Sequence, residues 1–278
     1  MITDVPRTRE PEAATPPPRP RRRGLWTLVA ALTAFVIVAP NAVQMWGRLI
    51  RQTQRSRLAV GTRPITALEV DIGAGDLTVV GDGTGGVTVD QTLKWAMRKP
   101  HVQATWEGTT LRLSGRCGTR APLSALSCSV GLRVRVPAGV EVRATSSSGT
   151  VDAEGLTGPA RLSTSSGVVS MRDLAGPVRA RATSGVIRGT GLRSGRVDAA
   201  LSSGSVDLTF AQAPQEVTAK ASSGALAVFL PPGQRYQVTT KASFGAPSVE
   251  GGLADDTATR RIDARTSSGS IEIRYARP

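Results

Sequence analysis

The sequence predicts an all-β protein: a β-solenoid-like repeat domain preceded by one N-terminal transmembrane helix. Three observations carry this prediction. A Ser-Gly phrase returns at nearly constant spacing through the second half of the chain. Apolar side chains alternate at period 2 on both sides of each copy, as in half-buried strands. One uncharged stretch near the N-terminus is as long as a bilayer is thick.

The phrase centres on seven glycines, Gly149, Gly167, Gly185, Gly204, Gly224, Gly245 and Gly269, at steps of 18, 18, 19, 20, 21 and 24 residues. A period near twenty marks a stacked repeat. Each glycine is read as a turn at positive φ, where a Cβ would be penalised. Val151, Val169, Ile187, Val206, Leu226 and Ile271 stand two residues after their glycines, and Ala153, Met171, Leu208, Val228 and Ile273 two further on. Gly189 interrupts this second row. A second strand per unit is read from Ala160 and Leu162, Val178 to Ala182, Val197 to Leu201, Val217 to Ala221, Val238 and Thr240, and Ile262 to Thr266. The unit is therefore strand, turn, strand, turn, with a narrow core of small aliphatic residues. A β-sandwich is the alternative, but a sandwich has no cause to repeat its turns so faithfully. The sixth copy, Phe244-Gly245-Ala246-Pro247, is degenerate. Its proline cannot donate to a ladder, which points to a bulge or an exposed edge.

From the N-terminus, residues 1–23 hold Pro16-Pro17-Pro18 and Arg21-Arg22-Arg23 and almost nothing apolar. They are expected to be a disordered cytoplasmic tail. Residues 24–47 carry no charge and place Trp26 and Trp46 at their two ends, as interfacial rings are placed. They are expected to form an uncleaved signal anchor. A signal peptide cleaved after Ala42 is the alternative, disfavoured because Pro40 would occupy one of the two small-residue positions. Residues 48–64 are expected to be an Arg-rich juxtamembrane linker, a stalk or a short amphipathic helix. Residues 65–276 form the expected extracytoplasmic β domain. Its first part carries an early glycine phrase at Gly75 and a strand pair around Glu107-Gly108. This part is less regular and is expected to cap the solenoid, whose first coil would otherwise expose strand edges. Cys117 and Cys128 are the only cysteines, and outside the cytoplasm they are expected to form a disulfide.

The formal charge of +14 resembles a nucleic-acid signal. Ten arginines and three acids in residues 1–57 supply +7 of it, and the rest is spread thinly, so nucleic acid is not an expected partner. Enzyme signatures fail in turn. His101 is the only histidine and lacks a Gly-x-Ser-x-Gly elbow. Gly81 to Gly86 is followed by no Gly-Lys-Ser/Thr. Asp152 and Asp207 share one repeat position, but Ser170, Arg188, Ala227 and Glu272 occupy the equivalents, so no acidic row is built. No catalytic, cofactor or metal residue is assigned.

The repeated Ser-Ser-Gly-x-Val phrase, Gly73-Ala74-Gly75-Asp76-Leu77-Thr78-Val79 and Val136-Pro137-Ala138-Gly139-Val140 together resemble a bacterial family known as "putative adhesins". The resemblance covers about residues 65–276. It implies a β-solenoid-like domain of cell-envelope proteins, many with one N-terminal span, and no catalytic residues. The expected function is a membrane-anchored, non-enzymatic binding or scaffolding module outside the cytoplasm, with an envelope polymer or envelope protein as ligand. A sensor of envelope stress and a carbohydrate-active solenoid enzyme are the alternatives.

Overall fold

The computed structural model describes residues 32–34, 52–61, 63–82, 85–96, 98–117 and 128–276. The chain divides into two units, Met1–Leu49 and Ile50–Pro278. In the first, residues 32–34 are helical and exposed. The expected tail, 1–23, and nearly all of the expected span, 24–47, lie outside the described residues. Among the described residues no helix is long and apolar enough to cross a membrane.

Among the described residues of the second unit, every regular element is a β-strand. The heart of this unit is five long strands: β8 (Glu141–Glu154), β9 (Ala160–Arg172), β10 (Val178–Leu192), β11 (Arg196–Phe210) and β12 (Glu216–Leu230). They stack in parallel and in register, corner glycine on corner glycine. The two strands expected per unit are thus one continuous strand bent at its glycine. The buried positions change parity across the bend, from Val142 and Ala144 to Val151 and Ala153 in β8. Both arms therefore turn their apolar side to one core. Leu156, Leu174, Leu192, Phe210 and Leu230 are also buried in that core, near the far end of each coil.

Gly189 is buried where most other coils carry Met171, Leu208, Val228 or Ile273, with Ala153 in β8. Leu192 takes the space, its Cδ1 standing 2.6 Å from where a Cβ on Gly189 would be. The register of β10 on β11 shifts between these two residues for the same reason.

At the N-terminal end, β2 (Ala67–Ala74) and β3 (Leu77–Gly81) make one further coil, bent at Gly75 and stacked on β8. β6 (Thr110–Arg116) and β7 (Ser129–Val136) stack on β2 and β3 in turn. β4 (Thr88–Trp95) and β5 (His101–Glu107) then pair antiparallel with β7 and β6 and end the parallel stack. β1 (Gln52–Leu58) pairs antiparallel with β4 at the outer edge. This corrects the expected linker 48–64, whose centre is a sheet strand. Its side chains are mostly exposed, so it presents no alternating pattern to read. Trp106 pins the following segment by donating its Nε1–H to the Val60 carbonyl at 2.6 Å.

The C-terminal end departs from chain order. β15 (Arg261–Ser268) and β16 (Ile271–Tyr275) lie directly on β12. β13 (Gln237–Phe244) and β14 (Pro247–Val249), although earlier in sequence, lie outside them. The degenerate copy is thus the edge coil, where a proline without an N–H and an exposed Phe244 are tolerated.

Candidate functional site: an outward groove beside a glycine ladder

The corners form a continuous ladder of eight glycines: Gly75, Gly149, Gly167, Gly185, Gly204, Gly224, Gly269 and Gly245, with φ between +118° and +139°. A Cβ on any of the last seven would fall within 1.8–2.0 Å of the carbonyl oxygen of its neighbour in the ladder. The glycine is therefore required twice, by its dihedral angle and by the close approach of the next coil. Just before the corner, the hydroxyls of Ser146, Thr164 and Thr266 donate to the carbonyls of Ser148, Ser166 and Ser268 at 3.1, 3.3 and 3.2 Å. These bonds satisfy backbone acceptors at the bend.

On the outer side of the first arms lies an open groove of about 550 Å³ that crosses β8 to β12. Ser163, Ser165, Thr183, Ser202 and Ser222 supply hydroxyls, and Arg181 and Lys220 supply charge. Among its lining residues there is no carboxylate and no histidine. In-register stacking explains the lining, because one repeat position builds one column of similar side chains.

Arg181 is held by a fork to Asp198, with Nη1 to Oδ1 at 2.9 Å and Nη2 to Oδ2 at 2.7 Å. Arg179 Nε adds a bond to Asp198 Oδ2 at 3.2 Å. The Arg181 hydrogen bonds hold the Asp198 carboxyl below its ordinary range; burial opposes this, and the charges of Arg181 and Arg179 reinforce it. A second depression, toward Arg196, Glu216 and Thr218, shares Arg181 and Lys220 with the groove.

The residues singled out in the sequence are distributed as follows. Gly149, Gly167, Gly185, Gly204, Gly224, Gly245 and Gly269 are all at corners. Cys117 and Cys128 are bonded to each other, Cα to Cα 6.0 Å. They stand where β6 ends and β7 begins, so the bond ties the two arms of that coil together. His101 is exposed at the start of β5, opposite Arg116. Asp152 and Asp207 lie on β8 and β11 with two strands between them. Asp152 accepts from Arg172 at 2.9 Å, and Asp207 from Ser205 at 3.4 Å. The groove is not among the features singled out in the sequence; its signal there is the Ser and Thr residues just before each glycine.

A repeat of bent strands with an outward groove and a glycine spine defines a β-solenoid-like fold by its architecture. The Toastrack DUF4097 family matches residues 132–274, from β7 to β16, and the chain belongs to that family. Among curated proteins, none matches this chain. Solved structures similar to it include one from Clostridium sporogenes ATCC 15579 named a "putative cell adhesion protein", 12% identical, covering 81% of this chain and 100% of that one, with a TM-score of 0.38. Another, a "putative adhesin" from Bacteroides fragilis NCTC 9343, is 14% identical and covers 80% of this chain and 97% of its own, with a TM-score of 0.44. A third, a "putative lipid binding protein" from Parabacteroides distasonis ATCC 8503, is 11% identical, covers 82% and 97%, and has a TM-score of 0.30.

Proposed function

We propose that the protein is a non-enzymatic binding module of the cell envelope, anchored by residues 24–47 with its β unit outside the cytoplasm. The observation that carries this reading is the groove: an open, hydroxyl- and cation-lined surface laid across five strands whose corners are packed glycine on glycine. Such a surface suits an extended polar ligand better than a small substrate, which pockets bury. The groove lining lacks the acid–base pairs that hydrolysis requires, and Asp152 and Asp207 stand too far apart in the stack to form one. The disulfide between Cys117 and Cys128 supports an oxidising compartment.

Two measurements test the reading. Reporter fusions after residue 278 should be active only for an enzyme that works outside the cytoplasm. The full chain, immobilised and exposed to solubilised cell envelope, should retain a defined component that is released by the free component itself. A cytoplasmic C-terminus, or retention of nothing, defeats the proposal.

A further inference from the structure

On the outer face of the first arms, cations usually stand beside acids. Glu69 lies between Arg112 and Arg143, at 3.0 Å and 3.3 Å from them. Arg179 meets Asp198 across the next strand in the same way, at 3.2 Å. One column breaks this pattern. Lys220, Arg265 and Lys241 are direct register partners on β12, β15 and β13. Arg181 stands in the same column on β10, with Ala200 between it and Lys220, but it is forked to Asp198 and so keeps to the pattern. Arg265 meets Asp263 at 2.7 Å. Lys220 and Lys241 make no ion pair among the described residues.

Like charges on neighbouring strands destabilise a sheet. The same face holds a second such run, Arg143, Arg161 and Arg179, but there each cation meets an acid, Glu69, Glu141 and Asp198 in turn. At Lys220 and Lys241 no acid among the described residues offsets the cost. Each of β12, β15 and β13 also carries a serine two residues after its cation, on the same face: Ser222, Ser267 and Ser243, all exposed. A chain laid across the strands would meet this cation-and-hydroxyl pair again at each strand spacing, ~4.8 Å.

We propose that this column binds a linear polyanion whose repeating units carry a phosphate and free hydroxyls, the class of phosphodiester-linked polyols and sugars. Phosphate matches the cations, and the polyol hydroxyls match the serines. A single-stranded nucleic acid needs a run of aromatic rings for its bases, and this column offers cations, serines and Ala200 with one exposed ring beside it, Phe244. The proposal rests on the binding-module reading and names the ligand of that surface. It extends the groove past β12 onto β15 and the edge strand β13, because Lys220 belongs to both.

The test uses the full chain in detergent and purified poly(glycerol phosphate), with binding followed by anisotropy at two salt concentrations. Lys220→Gln and Lys241→Gln should each weaken binding about fivefold, and the pair about 25-fold. The double variant should also lose part of the salt dependence. Both single variants should melt at or above the temperature of the parent, because each removes a like-charge neighbour; a merely structural role would lower it. Unchanged affinity in the double variant overturns the proposal. So does tighter binding of single-stranded DNA, or of phosphatidylglycerol vesicles, at the same salt. If the polymer does not bind while the chain still retains other envelope material, the column loses its ligand and the binding-module reading survives. If nothing is retained, both fall.

Discussion

Replacing Gly204 by alanine isolates the physical demand that the corners make. The φ of Gly204 is +131°, in a region that only glycine occupies without strain. That strain costs about 1–3 kcal/mol. The new Cβ would stand 1.8 Å from the Gly185 carbonyl oxygen and 2.9 Å from its carbon, all backbone atoms with no side chain to swing aside. Overpacking of this kind costs a further ~1–3 kcal/mol or more. A loss of about 2–6 kcal/mol is expected, against a total of roughly 5–15 kcal/mol for a domain. Urea unfolding followed by far-ultraviolet circular dichroism measures it. Gly195 is the control: its φ is not positive and nothing lies within 4 Å of its would-be Cβ. Gly195→Ala should be neutral to within about 0.5 kcal/mol. Gly245→Ala meets a similar clash, 1.9 Å from Gly269 O, but on the edge coil, which can move away, so it should cost clearly less than Gly204→Ala. A loss below ~1 kcal/mol at Gly204 with an unchanged m-value would refute the argument from close approach.

Other outcomes follow from the same coordinates. Cys117→Ser with Cys128→Ser opens a loop closed over a separation of 11 residues and should lower stability by about 3 kcal/mol, read by the same unfolding curves. Leu192→Ala should cost about 2–5 kcal/mol, and Gly189→Ala should be poorly tolerated alone; in a double-mutant cycle the two should partly compensate, because Leu192 fills the space the new methyl needs. Asp198 has a depressed folded-state pKa, so its stabilising contribution is present above its ordinary value of 3.8 and is lost as pH falls below that toward the folded value. Asp198→Asn should therefore flatten the fall of melting temperature below about pH 4, where the parent is steeper.

The repeat was legible because its two rules are local. A glycine recurs wherever a neighbouring carbonyl leaves no room for Cβ, and Val, Ala, Ile or Leu recurs wherever a strand faces the core. The irregularity of the Phe244 to Pro247 copy was legible for a similar reason, since a proline has no N–H to share with a further strand; of the two readings, bulge or edge, the structure shows the edge. Three features were not. β1 turns most of its side chains to solvent, so Gln52 to Leu58 shows no alternation. The exchange of β13 and β15 is invisible because every coil carries the same corner and the same register, and the sequence gives no rule for which coil is the neighbour of β12. The groove is hidden because serines beside a glycine also fit a turn, and its cations become a column only when strands separated by 20 residues or more are laid side by side. The anchor at 24–47 remains an expectation that only the sequence supports.

The displaced last coil sets a condition on how the domain is completed. A chain that emerges N-terminus first can add β8 to β12 one after another, each on an edge already present. β13 and β14 cannot find their final seat, because the strands they rest on are the last to be made. Residues 261–276 must arrive and slot in before the sixth glycine has anything to lie against. Loss of that short terminus would strip the stack of two layers, and the bare margin of β12 would be left open to whatever strand came next.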